Sequence, residues 1–284
     1  MNIVKTIHDL QEKVTSFKNK DLSIGFVPTM GYLHEGHISL LKEARNNHDV
    51  VVLSIFVNPL QFGPNEDLDR YPRDFNRDEE LAREAGVDLL FYPSVEEMYP
   101  GESSMIIHVK EGVDVLCGAS RPGHFDGVAT VVMKLLMLVQ PDQAFFGQKD
   151  AQQVAIITNM VQMFNVPVKI VPVSTVREED GLAKSSRNVY LSETERKEAP
   201  IIFQTLERAR EKIKAGEHDG SVIVNFVKDE LRRMTLSEID YVELVSYPAL
   251  RRVEKIEETV LLAVACKFKQ ARLIDNFIVT RSES

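Results

Sequence analysis

Apolar residues in the first part of the chain follow two alternating rhythms. Short apolar runs occur at Ser23–Val27, Val50–Val57, Val87–Tyr92, Gln143–Phe146 and Val166–Val173 and predict strands. Val50–Val57 is continuous, as expected for a strand buried on both faces. Between them lie longer stretches with apolar residues at helical spacing: Gly36–Asn47, Tyr71–Ala85, Val128–Val139 and Ala151–Phe164. Gly86 and Pro141 supply stop signals after two of these helices. Strand–helix alternation predicts an α/β architecture, a parallel sheet covered by helices.

The rhythm changes near Val176. Ser192 followed by Glu195 has the spacing of a capping box, and a charged helix is expected from Glu193 to about Ala215, interrupted or kinked at Pro200. A helix over Ser221–Met234 and strands over Ile239–Val245, Val260–Phe268 and Arg272–Val279 complete the reading, the last two strands forming an antiparallel hairpin. Two domains follow from this: 1–175, and a smaller α+β domain, 176–284.

Composition narrows the class. The chain has 284 residues, 44% hydrophobic and 27% charged, which is ordinary for a globular protein and long enough for a self-sufficient core. The net charge of −9 argues against a broad nucleic-acid-binding face. Two cysteines, Cys117 and Cys266, make neither a disulfide framework nor a paired metal motif. No apolar run approaches bilayer length, and the amino terminus lacks a signal-peptide core. The expectation is a soluble cytoplasmic protein with no membrane partner.

Five segments carry candidate chemistry. Pro28–His37 leaves a strand and enters a helix, where free backbone N–H groups and a partial positive charge suit phosphate. His34 and His37, three apart, share one face of the first turn and can donate to phosphate oxygens. A surface histidine pair and a zinc site are the competing readings; the spacing is not that of a zincin. Asn58 and Gln61, in the Phe56–Gly63 segment, are amides at a strand edge able to bind a small hydroxy acid, or parts of an Asn-Pro turn. In Phe146–Gln153, Gly147 permits close backbone approach, Lys149 can offset phosphate charge, and Asp150 can accept from ribose hydroxyls or help organise a metal. A helix cap with a solvated charge pair is the plainer alternative there. Ser174–Arg177 and Asp180–Asn188 join the two halves, and read either as a phosphate clamp or as a polar linker. Arg121 and His124, before a helix, are second-rank candidates in a loop or lid. The chain lacks the P-loop, the dinucleotide fingerprint and the nucleophile elbow.

Taken in order, these motifs make the chain similar to one family. Pro28–His37 resembles the HIGH motif of the nucleotidyltransferase superfamily, and the wider string resembles the pantothenate synthetases, the pantoate–β-alanine ligase family. The resemblance runs over almost the whole chain. It implies a Rossmann-like sheet with a HIGH-type nucleotide site, and a carboxy-terminal domain that closes over the active site. It implies ATP and Mg²⁺ as requirements, with no ligand set for the ion assigned, and a homodimer. It implies that pantoate and ATP give pantoyl adenylate and pyrophosphate, and that β-alanine then gives pantothenate and AMP. Carried over residue by residue, His37, His34, Lys149 and Arg187 are the catalytic set. ATP contacts are expected from Met30, Gly31, Tyr32, Leu33, His34, Glu35, Gly36, His37, Gly147, Gln148, Lys149, Asp150, Val176, Lys184, Ser185, Ser186 and Arg187, the last group as the counterpart of the superfamily's KMSKS-type loop. Gln61, Gln153 and Asn58 are expected to hold pantoate or β-alanine. Lys184 departs from the family pattern, in which many members carry an apolar residue. Another adenylate-forming enzyme and a non-catalytic nucleotide-binding module are the other classes considered.

Overall fold

The computed structural model describes residues 1–64, 66–101 and 104–280. In chain order the elements are β1 (Asn2–Val4), α1 (Ile7–Lys18), β2 (Ile24–Thr29), α2 (Glu35–Asn47), β3 (Val50–Ile55), α3 (Phe75–Glu84), β4 (Leu89–Phe91), α4 (Val95–Met98), α5 (Leu116–Ser120), α6 (His124–Val139), β5 (Gln143–Gly147), α7 (Ala151–Met163), β6 (Lys169–Val173), α8 (Glu193–Glu198), α9 (Ile201–Lys214), α10 (Gly220–Leu231), β7 (Glu238–Ser246), β8 (Val260–Lys267) and β9 (Arg272–Val279). The chain divides into two units. The first comprises Met1–Val109, Gly123–Gln148 and Ile156–Ser174; the second comprises Lys110–Pro122, Lys149–Ala155 and the chain from Thr175.

The first unit holds a six-stranded sheet in the order β1-β4-β3-β2-β5-β6, with every pairing parallel. The fully apolar β3 lies inside the sheet with all its residues buried, as a strand covered on both faces must be. Val27, Leu33, Leu41, Leu53, Leu90 and Phe145 fill one of its cores. Because β2, β3 and β5 run in one direction, the turns leaving them at Thr29, Ile55 and Gly147 all emerge at the carboxyl edge of the sheet, where open α/β sheets bind ligands.

The second unit packs α9 and α10 on a three-stranded antiparallel sheet, β7-β8-β9. Leu206, Ile213, Val227, Leu244, Leu262 and Val264 make up part of its core. The expected helix from Glu193 is two helices, α8 and α9, separated at Pro200, which lacks the N–H that a continuous ladder requires. The main division falls between residues 174 and 175. Residues 110–122 and 149–155 also group with the second unit, which a single cut between 175 and 176 does not capture. No described helix is long and apolar enough to cross a membrane.

Candidate active site

The turn from β2 into α2 is built around two histidines that cap each other. His34 is the N-cap residue, with extended backbone, and its Nδ1 accepts from Gly36 N–H at 3.1 Å. His37 Nδ1 accepts from His34 N–H at 3.2 Å, which completes a capping box. A Cβ on residue 36 would stand 2.8 Å from the His34 ring, so glycine there is what allows the ring so close. The rings are 4.1 Å apart. Since a backbone N–H can only donate, both Nδ1 atoms are unprotonated acceptors in the neutral rings, and the proton of each ring sits on Nε2. The cap therefore selects two Nε2–H donors at a helix amino terminus.

The loop before the cap is held from α3. Gly31 and Tyr32 are both left-handed, at φ +84° and +50°. Asp78, buried on α3, accepts from Tyr32 N–H at 2.7 Å and from Leu33 N–H at 2.6 Å. Burial is the leading influence on this carboxyl and pushes its pKa up, against the pull of the two N–H donors. Arg77 donates to the Leu33 carbonyl at 2.8 Å, and its guanidinium lies 5.2 Å from the Tyr32 ring centroid.

Asn58 and Gln61 come together in the 3-10 turn Pro59–Gln61. Asn58 is only 1% exposed. It donates to Gln61 Oε1 and to the Gly127 carbonyl, both at 3.1 Å, and accepts from Tyr99 Oη and Leu60 N–H. Asn58, expected among the ligand contacts, also supports the Gln61 side chain. Gln61 Nε2 reaches Met30 Sδ at 3.3 Å, joining this turn to the end of β2. His124 donates from Nδ1 to the Gln61 carbonyl at 2.8 Å. Gly147 ends β5 with open space where a side chain would project.

In the second unit, Lys149 and Asp150 pair at 3.5 Å. Asn276 of β9 donates to the Lys149 carbonyl at 2.8 Å. Its neighbour Asp275 takes a bidentate bond from Arg177, at 2.6 and 3.0 Å. Two adjacent β9 residues therefore fix both the lysine turn and the start of the serine-rich segment. Gln153 is half-buried in the first turn of α7. Residues 176–184 form a tight hairpin, with Arg177 bridged to Ala183 and Lys184 N–H donating to the Val176 carbonyl. Lys184 Nζ sits 2.7 Å from Glu178, so the side chain that departs from the family pattern is engaged within its own hairpin. Ser185 caps the 3-10 turn Ser186–Tyr190 by accepting from Arg187 N–H, and Ser186 is buried. Arg121 closes α5.

Asp78, Arg77 and Tyr99 escape the sequence reading. They lie 46, 44 and 41 positions from the groups they hold, and no short-range pattern encodes such pairings. Among the described residues no group of three His, Cys, Asp or Glu is placed to hold a metal ion.

The family model described as pantoate-beta-alanine ligase matches residues 2–278. The pantothenate synthetase of Halalkalibacterium halodurans is 62% identical over 283 residues, covering all of both chains. That of Bacillus cereus is 58% identical over 280 residues, with 99% of each covered. The crystal structure of pantothenate synthetase from Thermus thermophilus superposes with a TM-score of 0.92 at 46% identity, over 98% of this chain and 99% of that one. The pantoate-beta-alanine ligase of Francisella tularensis, solved in complex with beta-gamma ATP and beta-alanine, gives 0.80 at 35% identity, over 100% and 99%. Matched over almost its whole length by sequence and by fold, the chain belongs to the pantoate–β-alanine ligase family.

Proposed function

We propose that this enzyme joins (R)-pantoate to β-alanine at the expense of ATP, through pantoyl adenylate, releasing pyrophosphate and AMP. The observation that carries the reading is the reciprocal histidine cap, which sets two Nε2–H donors at the amino terminus of α2. In the first step a pantoate carboxylate oxygen attacks the α-phosphorus and the bond to the pyrophosphate oxygen breaks. Negative charge grows on the departing group, and donors fixed in advance stabilise it without reorganising. His37 and His34 are assigned to that charge, with the positive end of the α2 dipole behind them.

Lys149 and Arg187 are assigned to offset the remaining triphosphate charge, and Ser185 and Ser186 to donate to it. Met30–Gly36, Gly147–Asp150, Val176 and Lys184 make up the remaining ATP set. Gln61 and Gln153 are assigned to pantoate. ATP enters as its magnesium complex, the ion neutralising phosphate oxygens, and Asp150 is the carboxylate in the lysine turn suited to accept from that ion's water shell. In the second step the β-alanine amine attacks the acyl carbon, and AMP leaves with the bridging oxygen. A homodimer in the cytoplasm, with small-molecule substrates alone, completes the proposal.

The test is AMP release from MgATP with each acid alone and with both. Sustained AMP formation that needs both acids is the expected result. AMP formation that ignores pantoate would overturn the substrate assignment.

A further inference from the structure

The turn that carries Gln61 is wired to a residue with no part in the chemistry above. Asn58 has its amide orientation dictated by two backbone groups. Leu60 N–H can only donate, so the Asn58 atom 3.3 Å away is Oδ1. The Gly127 carbonyl can only accept, so the atom 3.1 Å from it is Nδ2. With these settled, Tyr99 Oη, 2.9 Å from Oδ1, is a donor, and the Gln61 atom 3.1 Å from Nδ2 is Oε1. Gln61 is consequently turned with its oxygen toward Asn58 and its NH₂ toward Met30, whose thioether is a weak acceptor.

Tyr99 is the shorter of the two donors that hold Oδ1, and it is well placed to be constant. Its ring lies 6.0 Å from that of Phe56, with the Lys134 ammonium 5.4 Å from its centroid, and Lys134 also bonds the Met98 carbonyl next door. Burial pushes the phenol up to about 12, so Oη keeps its hydrogen at neutral pH.

We infer that Tyr99 is a positioning residue that sets the polarity of the hydroxy-acid site: through Asn58 it holds Gln61 as a donor toward an acceptor oxygen, a carboxylate or hydroxyl, of the substrate. The inference rests on the assignment of Gln61 to pantoate. It goes further by naming what orients the amide and which face the substrate meets. A site built to donate rejects an analogue that offers a donor at the same point, because two donors are then left facing each other.

The experiment compares steady-state KM for pantoate, KM for ATP and kcat in the wild type, Tyr99→Phe, Gln61→Ala and the double variant. Tyr99→Phe is expected to raise the pantoate KM about fivefold to tenfold, with the ATP KM and kcat within about twofold, on the scale of one lost hydrogen bond. In the Gln61→Ala background the same change is expected to add less than about twofold, since Tyr99 acts only through that amide. An undiminished Tyr99 effect in the Gln61→Ala background would overturn the inference, as would an unchanged pantoate KM in Tyr99→Phe. An unchanged pantoate KM in Gln61→Ala would instead overturn the assignment of Gln61, and the inference with it. Gln61→Glu supplies a reading that leaves Tyr99 untouched. It keeps an oxygen toward Asn58 and replaces the donor with a second oxygen. The expected pantoate KM is at least that of Gln61→Ala, and wild-type binding would show that no donor is required.

Discussion

Gly127 is the position where a single methyl group has the most legible consequence. A Cβ built there would lie 2.2 Å from the Leu60 carbonyl oxygen, 2.4 Å from its carbon and 2.6 Å from Gln61 N. All three are backbone atoms, so no rotamer change relieves the overlap. Restoring ordinary contact requires α6 and the 3-10 turn to separate by about 1.2 Å. That displacement carries the Asn58–Gly127 bond from 3.1 Å, and the His124–Gln61 bond from 2.8 Å, beyond hydrogen-bonding range. Two lost bonds at about 0.5–1.5 kcal/mol each, with overpacking of about 1–3 kcal/mol, put the destabilisation of Gly127→Ala at about 2–6 kcal/mol. Urea unfolding of the full chain reads this directly, and the pantoate KM reads the displaced turn, where a 1 Å error can cost about a hundredfold. Unfolding within about 0.5 kcal/mol of wild type, together with an unchanged pantoate KM, would refute the reasoning.

Three further expectations follow from the same geometry. His37→Asn retains a side-chain acceptor for the His34 N–H but has no Nε2–H. It should keep wild-type stability while losing about 10²–10³ in kcat, and near-normal turnover would remove His37 from the mechanism. Asp78→Ala leaves the Tyr32 and Leu33 N–H groups without their acceptor. The left-handed loop should relax and the ATP KM rise at least about tenfold, whereas unaltered nucleotide kinetics would show that the loop holds its shape unaided. Glu195 is held below the usual carboxylate range, first by the Ser192 N–H and then by that of Lys269. Its folded pKa lies below its unfolded one, so its contribution is present above the ordinary carboxylate range and lost as pH falls through the folded value. Glu195→Gln removes the charge and keeps only one of the two acceptor oxygens that face Ser192 N–H and Lys269 N–H, so it should be less stable than wild type at neutral pH yet lose stability less steeply below about pH 4, and parallel acid-unfolding curves would contradict this.

How far the sequence was readable varies with the range of the interaction. Strands β2, β3 and β5 and helices α2 and α7 declare themselves, since their apolar periodicity is local and they are enclosed by the fold. The Ser192–Glu195 box is equally local and is formed as expected. The edge strand β1, three residues long, and the exposed helix α1 escape, because a short edge strand leaves almost no pattern and α1 buries only Leu10 and Val14. The histidine pair is legible as a motif, but its mutual cap is not. That depends on ring orientation, which the spacing allows without requiring. Asn58 is legible as an amide at a strand edge, but its four hydrogen bonds, two of them to Gly127 and Tyr99 far along the chain, are not. The pairing of Lys184 with Glu178, six residues earlier, is likewise not visible in the motif.

The central claim is that the pantoate carboxylate itself attacks the α-phosphorus of ATP. It is tested most directly by supplying pantoate labelled with ¹⁸O in both carboxylate oxygens, with MgATP and β-alanine, and weighing the nucleotide product. The account predicts AMP carrying one ¹⁸O atom per turnover and unlabelled pyrophosphate, because the bridging oxygen stays with phosphorus when the amine displaces it. AMP without label, or ADP as the nucleotide product, would contradict an adenylate and with it the roles assigned to the histidine turn.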